Sequence, residues 1–276
     1  MNRNTLVEQI KAKKSFLCVG LDTEKTRIPK HLLNDPDPVF SFNKAIIDAT
    51  ADFVVAYKPN TAFYEVNGSE GWLSLEKTID YLNKNYSDIF IIADAKRGDI
   101  GNTSTNYAKA FFETLNVDAV TVAPYMGHDS VQPFLAFSGK WVVLLALTSN
   151  SGSSDFQYFA DKGGETLYKT VIQRAVSWAG SDQLMFVVGA THPEELAAIR
   201  ALIPDYFLLV PGVGAQGGDL TAVSKAGLNS QCGLIVNSSR AIIYASDGID
   251  FAEKAAFESH KIQQQMLLEL TTAGII

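Results

Sequence analysis

The run Ile91-Ile92-Ala93-Asp94-Ala95-Lys96-Arg97-Gly98-Asp99 is an apolar stretch that ends in acid, base and acid. In an extended strand, residues i and i+2 project from one face. Asp94 and Lys96 are therefore expected to leave the strand together. A glycine then turns the chain toward a second carboxylate, Asp99. Burying charge is costly unless it is paired. Carboxylates beside an ammonium favour its charged form. A strand end that sets an acid and a base side by side and then adds another acid is expected to serve chemistry.

The elements that must position these groups are legible as eight continuous apolar runs. They are Ser15–Asp22, Phe53–Asn60, Ile89–Lys96, Ala119–Tyr125, Trp141–Ser149, Gln183–Ala190, Tyr206–Gly212 and Gly233–Ser239. Continuous rather than alternating apolar runs indicate parallel strands covered on both faces. Amphipathic stretches lie between them, with Phe42, Ile46 and Ala49 on one helical face and Tyr107, Phe111 and Leu115 on another. Eight such units behind a helix over Thr5–Lys14 predict an α/β fold, a (β/α)8 TIM barrel with an N-terminal capping helix, as one domain over residues 1–276. A doubly wound sheet is the alternative. It usually carries Gly-x-Gly-x-x-Gly after its first strand, where this chain has Gly20-Leu21-Asp22-Thr23. The Ser-, Gly- and Asp-rich insertion at 150–165 is expected to be an active-site lid.

The chain has 276 residues, 47% of them hydrophobic, and a net charge of −7 with scattered basic residues. That balance argues against nucleic acid and membrane surfaces as partners. Cys18 and Cys232 lie inside apolar runs and read as buried thiols of a reducing compartment. With no secretory signal and no run long enough to span a bilayer, a cytoplasmic location is expected. His31, His128, His192 and His260 are isolated and show no metal-ligand spacing. His192-Pro193-Glu194-Glu195 reads as a helix start.

Barrel active sites form at the C-terminal ends of the strands. Those ends supply Asp22, Lys58-Pro59-Asn60, Asp94-x-Lys96-x-x-Asp99, Pro124-Tyr125 and Thr148-Ser149-Asn150. The last two supply the glycine-rich run Pro211 to Gly218 and Ser238-Ser239-Arg240. Phosphate commonly binds after strands seven and eight, where glycine N–H groups and a guanidinium can grip it. A phosphorylated small molecule beside clustered lysines and aspartates is the expected ligand.

The run Ile92 to Thr103, with Leu21-Asp22, Tyr57-Lys58-Pro59-Asn60, Thr148-Ser149-Asn150, Pro211 to Gly218 and Ser239-Arg240, resembles the orotidine 5′-phosphate decarboxylase family in its longer bacterial form. Ser151 departs from the proline that many members carry after Thr-Ser-Asn. The resemblance implies loss of CO2 from orotidine 5′-phosphate to give UMP, the last step of pyrimidine nucleotide synthesis, without metal or cofactor. It implies an alternating array of Lys58, Asp94, Lys96 and Asp99, with Lys96 the proton donor to C6 and Asp94 beside the departing carboxylate. It further implies a homodimer in which Asp99, Ile100 and Thr103 reach into the other subunit's site. Asp22 would bind ribose, Ser149 and Pro211 would lie against the base, Gln216 and Arg240 would contact the phosphate, and Ser239 would bind substrate.

Simpler readings exist for each group. Asp99 is a favoured helix N-cap type, Lys58 an ordinary rim lysine, Arg240 a partner for a helix end, and Asp22 a turn residue. Three functional alternatives stand beside the decarboxylase. A metal-dependent sugar-phosphate decarboxylase or aldolase would want a carboxylate where Lys58 stands. A Schiff-base aldolase would need a neutral lysine. A non-catalytic nucleotide-binding barrel would be expected to lack one of the four charges.

Overall fold

The computed structural model describes residues 1–191, 193–212 and 218–276. Eight strands, β1 (Leu17–Gly20), β2 (Ala56–Lys58), β3 (Phe90–Arg97), β4 (Ala119–Val122), β5 (Trp141–Leu147), β6 (Leu184–Val188), β7 (Phe207–Pro211) and β8 (Leu234–Ser238), alternate with helices. They pair in sequence order, all parallel, and close β8 onto β1. This is the (β/α)8 barrel that the apolar runs predict. Each strand lies within its run or overshoots it by one residue, as β3 does at Arg97. The trimmed residues belong to the loops, because apolar character continues past the last ladder hydrogen bond.

The bottom of the barrel is closed by the helix Arg3–Lys13. Asn2 caps it by accepting from the Thr5 N–H, and Lys14 ends it in a left-handed turn (φ 53°). Leu6, Val7 and Ile10 are buried. Arg3 donates to the carbonyls of Ser181 and Asp205, and Trp141 Nε1 donates to the carbonyl of Met1 at 2.9 Å. The helix Pro38–Thr50 starts at an Asp37 cap with proline in its first turn. It buries Phe42 and Ile46, and Phe42 stacks on Phe251 at 5.2 Å.

Two details differ from the periodicity. The helix Gly101–Lys109 widens into a π turn at Ala110–Thr114. Phe111 and Leu115 are buried, but Tyr107 stays 38% exposed, its ring 5.4 Å from the Arg97 guanidinium. The insertion holds a 3-10 turn at Ser151–Asp155 and an Ala160–Thr166 bridge, and it exposes Phe156 and Phe159. No helix among the described residues is long and apolar enough to cross a membrane.

Candidate active site

Strand alternation aims Lys58 inward. Its neighbour Tyr57 points to the helix layer, where its hydroxyl donates to the Ile47 carbonyl and meets Thr50 Oγ1. The next residue must face the barrel axis. Asn60 is the residue level with Asp94 across the β2–β3 seam. The long Lys58 stem therefore climbs to reach that level. Its Nζ donates to Asp94 Oδ2 at 2.7 Å, and both side chains are almost wholly buried.

Lys96 Nζ donates to the other carboxylate oxygen, Oδ1, at 2.6 Å. The pairing is the expected one, but simple strand alternation does not produce it. Between the Ala93–Val120 and Arg97–Val122 pairs the register shifts, so four steps of β3 pass two of β4. Lys96 sits inside that bulge with φ 47°. Non-glycine residues rarely adopt this left-handed backbone, and it stores of order 1–3 kcal/mol of strain. The bulge carries the charged head of Lys96 back over Asp94 while leaving the side chain half exposed to the mouth.

The electrostatics follow from this clamp. Burial opposes the charged form of Asp94, but the ammoniums of Lys58 and Lys96 outweigh it and hold the carboxyl well below the usual range. Burial would likewise discharge Lys58. Asp94 and then Asp22 reverse that and raise its pKa. Cys18 lies beside this cluster, and burial pushes its thiol up to about 12.

A cavity of about 320 Å³ opens above the pair. Among the expected residues, Asp22, Lys58, Asp94, Pro211, Ser239 and Arg240 line it. Charge thus stands at its floor and a guanidinium at the end of β8. Gly20 is what permits the approach of β1 and β8 here. A Cβ built on it would fall 1.8 Å from Ser239 Oγ and 2.9 Å from Ser239 Cβ. Ser149 follows β5, pressed against Gly189, where an added Cβ would lie 2.9 Å from the Ser149 Cβ. Gln157 of the insertion clasps Thr148 next to it through two hydrogen bonds of 2.8 Å.

The remaining expected residues are placed elsewhere. Asp99 does not cap the following helix, whose N-cap is Ile100. Among the described residues its Oδ1 accepts from the adjacent Ile100 N–H, at 2.7 Å. Ile100 and Thr103 are exposed. Gln216 lies outside the described residues, as does His192.

The cavity is also lined by residues to which the sequence assigns no role, among them Glu24, Phe63, Asn60 and Asn237. Asn60 was visible beside Lys58 but carried no assigned role. Asn237 stands one residue before Ser238-Ser239-Arg240, the segment expected at the end of β8. Its Nδ2 donates to Ser239 Oγ at 3.2 Å, while its buried Oδ1 has no partner among the described residues. The Asp22 Oδ1 is likewise buried without a partner among the described residues. Two unpaired acceptors in one cavity wall suit the hydroxyl donors of a sugar.

A sequence model described as the orotidine 5′-phosphate decarboxylase / HUMPS family matches residues 15–255. An orotidine 5′-phosphate decarboxylase of Bacteroides fragilis is 60% identical over 270 residues, 98% of this chain and 98% of its own. Among solved structures, the OMP decarboxylase of Leishmania donovani superposes with a TM-score of 0.79 at 38% identity, covering 94% of this chain and 98% of that one. The UMP synthase of the same organism gives a TM-score of 0.80 at 39% identity, and the match covers 56% of that longer chain. The closed barrel, the Asp94 clamp and a match over nearly the whole sequence agree: the chain belongs to the orotidine 5′-phosphate decarboxylase / HUMPS family.

Proposed function

We propose that the chain decarboxylates orotidine 5′-phosphate to UMP and CO2. The observation that carries this reading is the Asp94 carboxylate held between Lys58 and Lys96 in a cavity that ends at Arg240. Arg240 and Gln216 take the phosphate, with Ser239 beside them. Ser149 and Pro211 lie against the base, and Asp22 takes the ribose.

The bond between C6 and the carboxylate carbon then breaks, CO2 leaves, and the electron pair stays on C6. The Lys96 ammonium stabilises that charge and transfers a proton to C6, forming UMP. Solvent returns a proton to the lysine. Asp94 stands against the substrate carboxylate. Two like charges about 4 Å apart repel by about 4 kcal/mol at an effective dielectric of about 20. The repulsion vanishes as neutral CO2 departs, so it acts on the ground state alone. Lys58 holds Asp94 in place.

The site is completed by a second copy of the chain. Asp99, Ile100 and Thr103 serve the partner's cavity in a two-fold dimer. Two features favour this. Asp99 pairs with none of the lysines of its own chain among the described residues. Large apolar side chains also stand exposed on three successive βα connections, namely Val66, Ile100, Tyr125 and Met126. Exposed apolar side chains on neighbouring loops suit an interface with a second copy. The segment 150–165 acts as a lid whose closure excludes water, with Gln157 as its tether to Thr148. We infer a cytoplasmic setting, in keeping with the free buried thiols of Cys18 and Cys232.

The test is turnover of orotidine 5′-phosphate, followed by loss of its absorbance with and without a chelator. Conversion to UMP at a rate unaffected by EDTA is expected. No conversion by folded protein overturns the reading, and strict dependence on added magnesium favours the sugar-phosphate alternative.

A further inference from the structure

We propose that Thr121 is a positioning residue for the proton donor, acting through the backbone of Lys96 and the carboxylate of Asp94. The inference rests on the decarboxylase reading and adds a residue to it.

Thr121 lies in β4 and is 1% exposed. Its Oγ1 accepts the Lys96 backbone N–H at 2.8 Å. The same oxygen donates to Asp94 Oδ1 at 3.1 Å. The direction is forced. A backbone N–H can only donate and an ionised carboxylate can only accept, so one hydroxyl with one proton serves both. Lys96 Nζ donates to that same Oδ1 at 2.6 Å. The result is a closed ring that runs from the Lys96 backbone through Thr121 and Asp94 to the Lys96 ammonium.

The ring sits where β3 is least regular. The bulge leaves residues 94–96 without ladder partners on β4, and Lys96 is left-handed at φ 47°. A backbone held away from its preferred basin persists only where its surroundings hold it. Thr121 supplies that hold from the neighbouring strand. It also supplies a third donor to Asp94, beside the two lysines. The Lys96 side chain is half exposed and long. Its reach toward C6 therefore depends on where its backbone turns, and a misplacement of about 1 Å can cost about a hundredfold in rate.

Valine matches threonine in shape but cannot replace the hydroxyl. Thr121→Val is expected to lower kcat by about a hundredfold, with KM and the Kd for UMP within about threefold of the unmodified chain. Thr121→Ser should restore kcat to within about tenfold of the unmodified chain. Amide hydrogen exchange at Lys96 in the unliganded protein is expected to quicken by about tenfold or more in Thr121→Val and not in Thr121→Ser. That readout requires no turnover. If the unmodified chain is inactive while exchange still quickens, the decarboxylase reading fails and the hold on the Lys96 turn stands. A Thr121→Val chain whose kcat stays within about threefold overturns the positioning role. Unchanged exchange at Lys96 overturns the hydrogen bond itself. Should Thr121→Val not fold, Thr121→Ser and Thr121→Ala, which differ only by the hydroxyl, supply the same comparison.

Discussion

Lys58 and Asp94, on adjacent strands, form an ion pair of 2.7 Å with side chains only 5% and 10% exposed. The pair lies under the mouth of the barrel, at the floor of the cavity. Removing one charge leaves the other buried. Breaking such a pair costs about 3–5 kcal/mol, well above the median for an exposed pair.

Asp94→Asn is therefore expected to lose about 3–5 kcal/mol of stability at neutral pH. The pH dependence has a definite sign. The folded pKa of Asp94 is depressed, so its contribution is full above the unfolded value of about 4 and is lost as pH falls through the folded value. The gap in urea unfolding free energy between the unmodified and Asp94→Asn chains should be flat from about pH 5 to 8 and shrink below about pH 4. Lys58, whose pKa is raised, contributes fully below its unfolded value of about 10.4 and loses that contribution only as pH rises beyond it. A gap that stays constant into strong acid would show that ionised Asp94 does not hold Lys58.

Arg240→Ala should reduce kcat/KM for orotidine 5′-phosphate by roughly a hundredfold, about 3 kcal/mol of charge-assisted hydrogen bonding. Part of the loss should appear in kcat, because remote binding energy can serve the transition state. Orotidine without its phosphate offers Arg240 nothing to hold, so its slow turnover should change little. Equal losses on both substrates would remove Arg240 from the phosphate end.

Gly20→Ala tests the closeness of β1 and β8. The added methyl meets Ser239 below van der Waals distance, and Asn237 Oδ1 lies 3.3 Å away on the same side. Overpacking of this kind costs about 1–3 kcal/mol. The substitution should weaken UMP binding in calorimetry through displacement of Ser239, and thermal unfolding should report the lost stability. Unchanged UMP affinity would place Ser239 and its neighbours outside the ligand's reach.

The composite site is tested by mixing Lys96→Ala and Asp99→Asn chains, each nearly inactive alone. After random subunit exchange about half the dimers are mixed. Each mixed dimer has one site carrying both defects and one carrying neither. Activity should return to roughly a quarter of the unmodified level. Absence of recovery after verified exchange would assign Asp99 to its own chain.

Much of this molecule was readable from residue order. Eight apolar runs predict eight covered parallel strands, because hydrophobic continuity reports burial on both faces. Since the C-terminal ends of barrel strands converge, the order of motifs alone brings Asp22, Lys58, Asp94, Ser239 and Arg240 to one cavity. The pairing of Asp94 with Lys96 was also expected, although for an incomplete reason. Alternation implies a shared face, whereas a bulge and a left-handed backbone make the contact. A two-residue period carries no information about a register shift, which depends on how β3 meets β4.

The same limit explains the residues that only the tertiary structure brought forward. Thr121 looks like an ordinary β-branched strand residue until its hydroxyl is seen between the Lys96 N–H and the Asp94 carboxylate. Asn237 becomes a cavity residue because β1 and β8 place it level with Cys18, just below the Gly20–Ser239 contact. Sequence determines which side chains a strand end offers, through burial and order along the chain. Register across neighbouring strands decides which of them meet, because hydrogen bonds act over about 3 Å between residues far apart in sequence.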